Sequence, residues 1–167
     1  KPSKGCVPCI SGEDIEAYRI RRTRWLNLNK GEWSQTLGRS GSRRVLVRET
    51  GARLLATVVP DKTHITRTLY AVGPCDEVDP YTLLSILNSE VAQRWFGLRC
   101  SPKTKIFPKL RIAQLRMFPV AQPTVDLQKQ LAQLGREVSE APKGEAGSLT
   151  KKIEELVEEL YGVNECP

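Results

Sequence analysis

Histidine and paired cysteines, the residues that most often hold zinc, are scarce in this sequence. It has one histidine, His64, and five cysteines, of which only Cys6 and Cys9 form a CxxC pair. A structural zinc site needs four ligands, usually from two such pairs. A thioredoxin-like site needs its CxxC between a strand and a helix of a βαβ unit, which residues 1–20 do not supply. We therefore expect reduced thiols and no metal site, and the purpose of Cys6 and Cys9 stays open.

Long apolar runs are absent as well. No stretch of about 18 or more apolar residues occurs, so the sequence predicts no transmembrane helix. The start, KPSKGCVPC, has neither an initiator methionine nor the apolar segment of a signal peptide. We expect a fragment excised from a longer, cytoplasmic chain.

Catalytic motifs are missing too. The sequence has no Gly-rich phosphate loop of the P-loop or Rossmann type, and no nucleophile elbow surrounds any serine. The carboxylates of the first 120 residues form no spaced set that would hold a nuclease metal, and most of them occupy predicted caps and turns. We expect that this fragment is not an enzyme and holds no cofactor of its own.

Positive charge, by contrast, is abundant and unevenly placed. Residues 1–60 carry 12 Lys/Arg against 5 Asp/Glu, and residues 61–120 carry 9 against 5. Residues 121–167 reverse the balance, with 5 Lys/Arg against 9 Asp/Glu. A basic body followed by an acidic tail favours a polyanionic partner for the body, nucleic acid before membrane, because no segment has the pattern of a basic membrane helix.

The most distinctive apolar stretch is residues 81–99, YTLLSILNSEVAQRWFGLR. Asp79 is placed as an N-cap and Pro80 as the first helical residue. Apolar residues then recur at helical spacing from Leu83 to Phe96. We predict one buried helix over this stretch, ended by Gly97.

Upstream of this helix the sequence favours strands. Ser11 and Asp14 predict a capped short helix through Ala17, and residues 18–28 alternate as a strand at a sheet edge. Residues 29–42 are rich in Gly and Ser and form a long predicted loop. Residues 43–49, 53–59 and 65–72 follow as strands with short connections, which predicts an antiparallel meander.

Downstream, the composition changes at residue 124. Arg111–Arg116 has the pattern of one helical turn, and residues 117–120 contain Pro119, which restricts them to an edge if they pair as a strand. Leucines and other apolar residues then repeat at heptad spacing in two segments separated by APKGEAG. Such a pattern predicts an antiparallel helical hairpin. We assign residues 1–123 to one domain and residues 124–167 to this hairpin.

Three basic clusters fall in loops or at strand ends, with hydroxyl residues between them. Lysine, arginine and Ser/Thr side chains are the usual contacts to DNA phosphates. Taken alone, each cluster is also compatible with a solvated turn. The predicted DNA-binding residues are Arg39, Arg43, Arg44, Lys62, His64, Arg67, Lys103, Lys105 and Lys109. We further predict that five of them, Arg43, Arg44, Arg67, Lys103 and Lys105, share one face.

Four motifs occur in an order that is more specific than any one of them. They are ISGEDIEAYRI with Gly12, Asp14, Ile15 and Tyr18; LLSILNSEVAQRWF with Leu87, Asn88 and Ser89; IFPKLRIAQLRMFPV with Leu115 and Pro119; and KKIEELVEELYGV with Glu154 and Val163. With this order the chain resembles the TaqI-like C-terminal specificity domain. That is the target-recognition domain of adenine-N6 DNA methyltransferases and single-chain restriction–modification enzymes. Glu154 and Val163 replace the Asp and Leu of the family's terminal motif.

The resemblance implies a division of labour. In this family a methyltransferase domain of the same chain, with an S-adenosylmethionine site and an Asn-Pro-Pro-Tyr/Phe motif, precedes the specificity domain. No Asn-Pro-Pro occurs here, so the expected cofactor belongs to the parent chain and not to this fragment. The implied mechanism is that this domain binds the duplex while its partner domain methylates a flipped adenine. The family's loops differ with the target sequence, so no base-contacting residue is assigned.

Together these observations predict an α/β (α+β) fold, with a small antiparallel or mixed sheet packed on a central helix and a C-terminal helical hairpin. The predicted function is sequence-specific recognition of double-stranded DNA within a DNA adenine-N6 methyltransferase or restriction–modification enzyme. The alternative is a protein–protein interaction module that uses the heptad helices. An RNA-binding domain is a weaker alternative, because exposed aromatics for base stacking are few.

Overall fold

The computed structural model describes residues 5–27, 43–60, 63–73, 78–100 and 108–163. Within these ranges short strands come first and helices follow. The strands are β1 (Cys6–Ile10), β2 (Ile15–Glu16), β3 (Arg19–Ile20), β4 (Arg24–Asn27), β5 (Arg44–Arg48), β6 (Ala56–Val59), β7 (His64–Ile65) and β8 (Leu69–Val72). The α-helices are α1 (Pro80–Asn88), α2 (Glu90–Arg99), α3 (Ile112–Leu115), α4 (Val125–Glu140) and α5 (Gly147–Leu160). None of these helices is long and apolar enough to cross a membrane.

An antiparallel sheet with β5 at its centre forms the middle of the fold. β5 pairs with β6 on one side and with β8 on the other. Its residues Val45, Leu46 and Val47 are at most 2% exposed, which suits a central strand that is covered on both faces. The strands predicted over residues 43–49 and 53–59 are confirmed as β5 and β6. The single strand predicted over residues 65–72 is wrong, since it is divided into β7 and β8, and the predicted meander is wrong as well. Because β7 leaves to pair with β1, the chain returns as β8 on the other edge of β5.

A second, mixed sheet places β1 between β4 and β7. β4 is antiparallel to β1, and β7 is parallel to it. The predicted strand over residues 18–28 is therefore divided, since β3 pairs with β2 in a separate hairpin and β4 joins this second sheet. At the turn of the hairpin Tyr18 adopts φ +67°, which is uncommon for a residue other than glycine.

The short helix predicted through Ala17 is wrong, although its cap is present. Asp14 Oδ2 accepts hydrogen bonds from the Ser11 amide at 2.9 Å and from the Ser11 hydroxyl at 2.5 Å. These bonds close one 3₁₀ turn over Gly12–Asp14. Ile15 then extends, because its buried side chain belongs to β2, where it pairs with Ile20.

The predicted central helix exists, but it is broken into α1 and α2 at Ser89. Asp79 caps its start as predicted, with Oδ1 accepting from the Tyr81 amide at 2.7 Å, and Pro80 follows. Ser89 has extended backbone angles, φ −69° and ψ 160°, and its hydroxyl accepts from the Ala92 amide as the N-cap of α2. Gly97 does not end the helix, because α2 continues to Arg99.

The amide of Asn88 explains why the helix breaks at this point. Its Oδ1 accepts from the Ala56 amide at 3.0 Å, and its Nδ2 donates to the Ala56 carbonyl at 3.0 Å. Gln93 makes the same pair of bonds to the backbone of Leu54, at 2.8 and 3.0 Å. The helix break thus presents two side-chain amides to the backbone of β6 and of the residues just before it, where the Ala56 carbonyl also accepts from the Tyr18 amide at 2.9 Å.

The predicted helical turn at Arg111–Arg116 and the predicted hairpin are confirmed as α3 and as α4 with α5. Residues 117–120 form no strand. The hairpin packs on α1, where the hydroxyls of Thr82 and Ser85 donate to carbonyls of α4 at 2.9 and 3.1 Å. The boundary predicted between residues 123 and 124 stays a prediction.

The two faces of β5 carry two cores. On one face Val45 and Val47 pack with α1, α2 and the hairpin, and on the other Leu46 packs with Ile10 and Leu69. The predicted fold class, an α/β (α+β) fold with small sheets on a central helical segment and a C-terminal hairpin, is confirmed.

Candidate nucleic-acid interface

The described basic residues of the predicted site lie at the two ends of β5. Arg43 and Arg44 are at its beginning, and Arg67 and Lys109 are near its end. Because a strand rises about 3.3 Å per residue, the two ends are separated by roughly 13 Å. Side chains alternate along the strand, so residues 43, 45 and 47 face the helices while residues 44, 46 and 48 face the second sheet.

Arg43 is held on the helical side. Its guanidinium donates to the Tyr81 hydroxyl and lies 5.3 Å from the centre of the Tyr81 ring. Arg136 of α4 lies 4.9 Å from the same ring. Cation–π contacts of this kind fix both arginines against a largely buried tyrosine.

Arg44 and His64 lie on the other side of β5 from Arg43, toward the second sheet. The Arg44 Nη2 donates to the Thr63 carbonyl at 2.5 Å. His64 is in β7, opposite Cys9 of β1, and is only 4% exposed. The structure therefore argues against direct contact of His64 with a ligand. It also corrects the predicted single face, because Arg43 and Arg44 point to opposite sides of β5.

Arg67 and Lys109 both lie near the end of β5. Arg67 is exposed in the turn between β7 and β8, and the amide of Glu49 donates to the Thr68 carbonyl at 3.0 Å beside it. Lys109 Nζ lies 3.1 Å from Glu49 Oε1, and this carboxylate also accepts from the Tyr70 hydroxyl at 3.0 Å. Burial first, and then this carboxylate, raise the pKa of Tyr70. Within the described ranges Arg67 forms no ion pair, so its charge is available to a ligand.

Four of the predicted residues have no structural description. They are Arg39, Lys62, Lys103 and Lys105, which lie outside the described residues.

The arginines of residues 19–24 serve the fold. Asp14 is 1% exposed, and Arg22 and Arg24 each place Nε 3.0 Å from its carboxylate. Burial raises the pKa of Asp14, but the hydrogen bonds from Ser11 and the two arginines outweigh it and lower the pKa from 3.8 to about 2. Arg19 donates to the Val138 carbonyl at 3.0 Å and so binds the end of α4.

Arg48 is a basic residue that the sequence analysis missed. It is half-buried at the end of β5, on the same face as Arg44. The signal was present in the sequence, because Arg44, Leu46 and Arg48 alternate with valines, and the two-residue period puts both arginines on one face.

The CxxC pair lies in β1. Residues three apart in a strand point to opposite faces, so the thiols of Cys6 and Cys9 diverge. Burial first, and then Asp14, raise the pKa of Cys9. Across the described ranges no group of three or more His, Cys, Asp or Glu side chains is placed to hold a metal ion.

Comparison with known proteins identifies a family and a solved structure of similar fold. The family model described as the TaqI-like C-terminal specificity domain matches residues 7–120. No curated protein matches the sequence. The fold is similar to that of the Type IIL restriction–modification enzyme MmeI, whose structure was solved in complex with DNA, with a TM-score of 0.64 and 13% sequence identity. The match covers 96% of this chain and 28% of that enzyme, and at this identity it concerns the fold alone.

Proposed function

The chain belongs to the TaqI-like C-terminal specificity domain family, and from this premise we propose that it recognises double-stranded DNA as the specificity domain of a larger restriction–modification enzyme. The match of the family model over residues 7–120 is the observation that carries the proposal. It includes every described basic residue at the ends of β5. The structural likeness to an enzyme solved with DNA supports the same conclusion.

The arrangement of charge supports this function. The acidic hairpin packs on α1, which covers the face of β5 that carries Val45 and Val47. Arg44 and Arg48 lie on the opposite face, away from the hairpin carboxylates. Arg67 and Lys109 are exposed near the end of β5. A duplex is thus expected to lie across the end of β5 and the β7–β8 turn.

We extend the proposal to the parent chain. Its methyltransferase domain binds S-adenosylmethionine and methylates the N6 of an adenine that has been flipped out of the duplex. The specificity domain supplies no catalytic group in this scheme. It contributes affinity through phosphate contacts and orientation through its contacts along the groove.

Neutralising the two exposed cations tests the proposal. The double variant Arg67→Gln with Lys109→Gln removes two contacts, so the salt dependence of duplex binding, log K against log [salt], should become shallower by about 1.8. Affinity near 0.1 M salt should fall by about 50-fold or more. Fluorescence anisotropy with a labelled duplex at several salt concentrations measures both quantities.

The control variant, Arg94→Gln with Lys151→Gln, removes the same charge from α2 and α5. Both of its side chains are exposed, and each lies 3.8 Å from a carboxylate, Glu158 for Arg94 and Glu155 for Lys151. It should retain the wild-type slope. Equal losses in the two double variants would mean that binding depends on net charge and not on the end of β5.

The outer side of the hairpin favours a second candidate function, a protein–protein contact through the heptad helices. A groove of about 400 Å³ runs between α4 and α5, with Leu134, Leu149 and Leu156 along it and Gln, Glu and Lys at its border. In that case the active part is the hairpin, and the Arg67 and Lys109 variant should bind its partner as tightly as the wild type does.

A further inference from the structure

We propose that a pocket at the end of β5 binds one phosphate group of the DNA backbone. This inference rests on the proposed function and adds a defined ligand position to it. The pocket has a volume of about 240 Å³ and lies between the 3₁₀ turn after β1, the end of β5 and the turn from β7 to β8. Its lining residues are Ser11, Gly12, Glu13, Arg48, Thr50, Thr66 and Thr68.

Arg48 supplies the charge. Its Nε is buried and makes no hydrogen bond to any part of the chain that the structure describes. Nor is its guanidinium in a salt bridge with a described carboxylate. Buried donors in folded proteins are almost always paired, so an orphaned guanidinium N–H beside a cavity indicates a missing acceptor.

Thr66 and Thr68, in the turn between β7 and β8, together leave one hydroxyl proton that can be donated to a ligand. Thr68 Oγ1 accepts from the Gly12 amide at 2.8 Å, and it lies 2.8 Å from Thr66 Oγ1. The pair has two O–H protons, and the bond between the hydroxyls uses one of them. The other has no acceptor among the described residues, whichever threonine carries it, and it remains for a ligand.

Glycine at position 12 allows the backbone to approach these threonines. A Cβ on Gly12 would lie 3.0 Å from the Thr68 carbonyl oxygen and 3.3 Å from Thr68 Oγ1. Thr50, the first residue beyond Glu49, adds another hydroxyl to the wall. No side-chain bond within the described ranges uses this hydroxyl.

The chemistry of the unused groups selects the ligand. A guanidinium N–H and the remaining threonine hydroxyls all donate, and phosphodiester oxygens only accept. The carboxylate in the wall, Glu13, forms ion pairs with Arg22 and Arg24, which offset its charge. Glu49 nearby is likewise bound by Lys109. The local field therefore favours an anion.

The first test uses inorganic phosphate and does not depend on DNA binding. Phosphate is titrated into the ¹⁵N-labelled 167-residue chain, with sodium chloride of equal ionic strength as the reference. We expect saturable shifts of the Arg48 Nε–H and of the Gly12, Thr66 and Thr68 amides. Arg48→Gln should abolish these shifts. Shifts that do not saturate, or that sodium chloride reproduces, would overturn the pocket.

The second test uses duplex DNA. Arg48→Gln should make the salt dependence of binding shallower by about 0.9 and weaken binding about tenfold near 0.1 M salt, equally for all sequences. Arg48→Lys keeps the charge but loses the Nε donor, so it should recover only part of the affinity, and Thr50→Val should show a smaller loss. The control Arg94→Gln should match the wild type. Thermal unfolding of each variant shows whether the fold is kept.

The two tests separate this inference from the proposed function. Loss of phosphate shifts in Arg48→Gln without any change in duplex binding would identify a site for free phosphate and overturn the backbone assignment. No duplex binding by the wild-type chain would reject the proposed function, whatever the phosphate titration shows. Wild-type duplex binding that is insensitive to Arg48, together with no saturable phosphate shifts, would retain the function and reject the pocket.

Discussion

Asp14 is the residue whose electrostatics matter most for the fold. Its carboxylate is buried, yet it accepts hydrogen bonds from Ser11 and ion-pairs with Arg22 and Arg24. It thereby ties the turn after β1 to the segment that leads into β4. A buried carboxylate with this many donors stabilises the folded state only while it is ionised.

Acid should therefore remove part of the stability. The pKa of Asp14 is about 2 in the folded chain against an ordinary 3.8, so the unfolded state takes up the proton first as the pH falls. The stabilisation is complete above about pH 4 and is lost between about pH 4 and 2. After allowance for screening of the exposed arginines, it amounts to about 1–2 kcal/mol. Urea unfolding of the wild type and of Asp14→Asn across this range measures it.

In Asp14→Asn the free energy of unfolding should fall at pH 7 and vary less between pH 4 and 2. Glu13→Gln is the matched control, since Glu13 binds the same arginines but is exposed, and it should change stability by less than about 1 kcal/mol. Parallel pH profiles for Asp14→Asn and the wild type would contradict the assignment.

The family motif at Leu87, Asn88 and Ser89 has a structural role. Asn88 closes a pair of backbone bonds to Ala56, and Ser89 ends one helix and caps the next. The side-chain amide of Asn88 carries both the acceptor and the donor that the Ala56 amide and carbonyl require. The motif therefore serves the join between helix and sheet.

At the scale of elements, α1 and α4 pack against each other at short range. Gly135 of α4 lies against α1, and a Cβ on it would come within 2.6 Å of Ser85 Oγ and 2.7 Å of the Tyr81 carbonyl oxygen. Two hydroxyls of α1 bond to α4 carbonyls at the same contact. The helices approach this closely because position 135 has no side chain.

Two alanine substitutions should have opposite effects. Gly135→Ala forces the helices apart and should lower the free energy of unfolding by about 1–3 kcal/mol. Gly97→Ala lies inside α2 with no atom within 4 Å of the new Cβ, and it should raise the free energy by about 0.5–1 kcal/mol through helix propensity. Urea denaturation measures both. A neutral Gly135→Ala would mean that the α1–α4 contact is looser than described.

At the scale of the whole molecule, the hairpin completes the core. Leu131, Ile153 and Val157 are fully buried and belong to the same cluster as α1. Glu154 of α5 accepts from the Glu90 amide at 2.9 Å and so caps the start of α2. Burial raises the pKa of this carboxylate. The acidic tail is thus part of the support for the basic body.

Truncation after Pro123 tests the predicted domain boundary. Each large buried side chain contributes about 1.5–3 kcal/mol, and the loss of several of them is comparable with a whole domain stability of about 5–15 kcal/mol. We expect residues 1–123 to lose the cooperative unfolding transition, as measured by circular dichroism on heating. A sharp transition at the wild-type temperature would show instead that the body folds without the hairpin. Point variants are therefore better probes of DNA binding than this deletion.

The sequence by itself determined the features that depend on near neighbours and on period. The Asp79-Pro80 start, the turn at α3, the heptad hairpin and the division into basic and acidic parts are all readable from residues within a few positions of one another. The family motifs are each a short stretch of neighbouring residues, and their order along the chain indicated the fold class and the family.

Only the tertiary structure decided the features that depend on distant partners. The helix breaks at Ser89 because Asn88 binds Ala56, 32 positions earlier in the chain. β8 reaches the far edge of β5 because β7 pairs with β1, and this pairing also buries His64. The pocket at Arg48 likewise joins residues from three separate turns. Contacts between residues that are far apart in sequence leave no periodic signal, so the fold had to be formed before they could be seen.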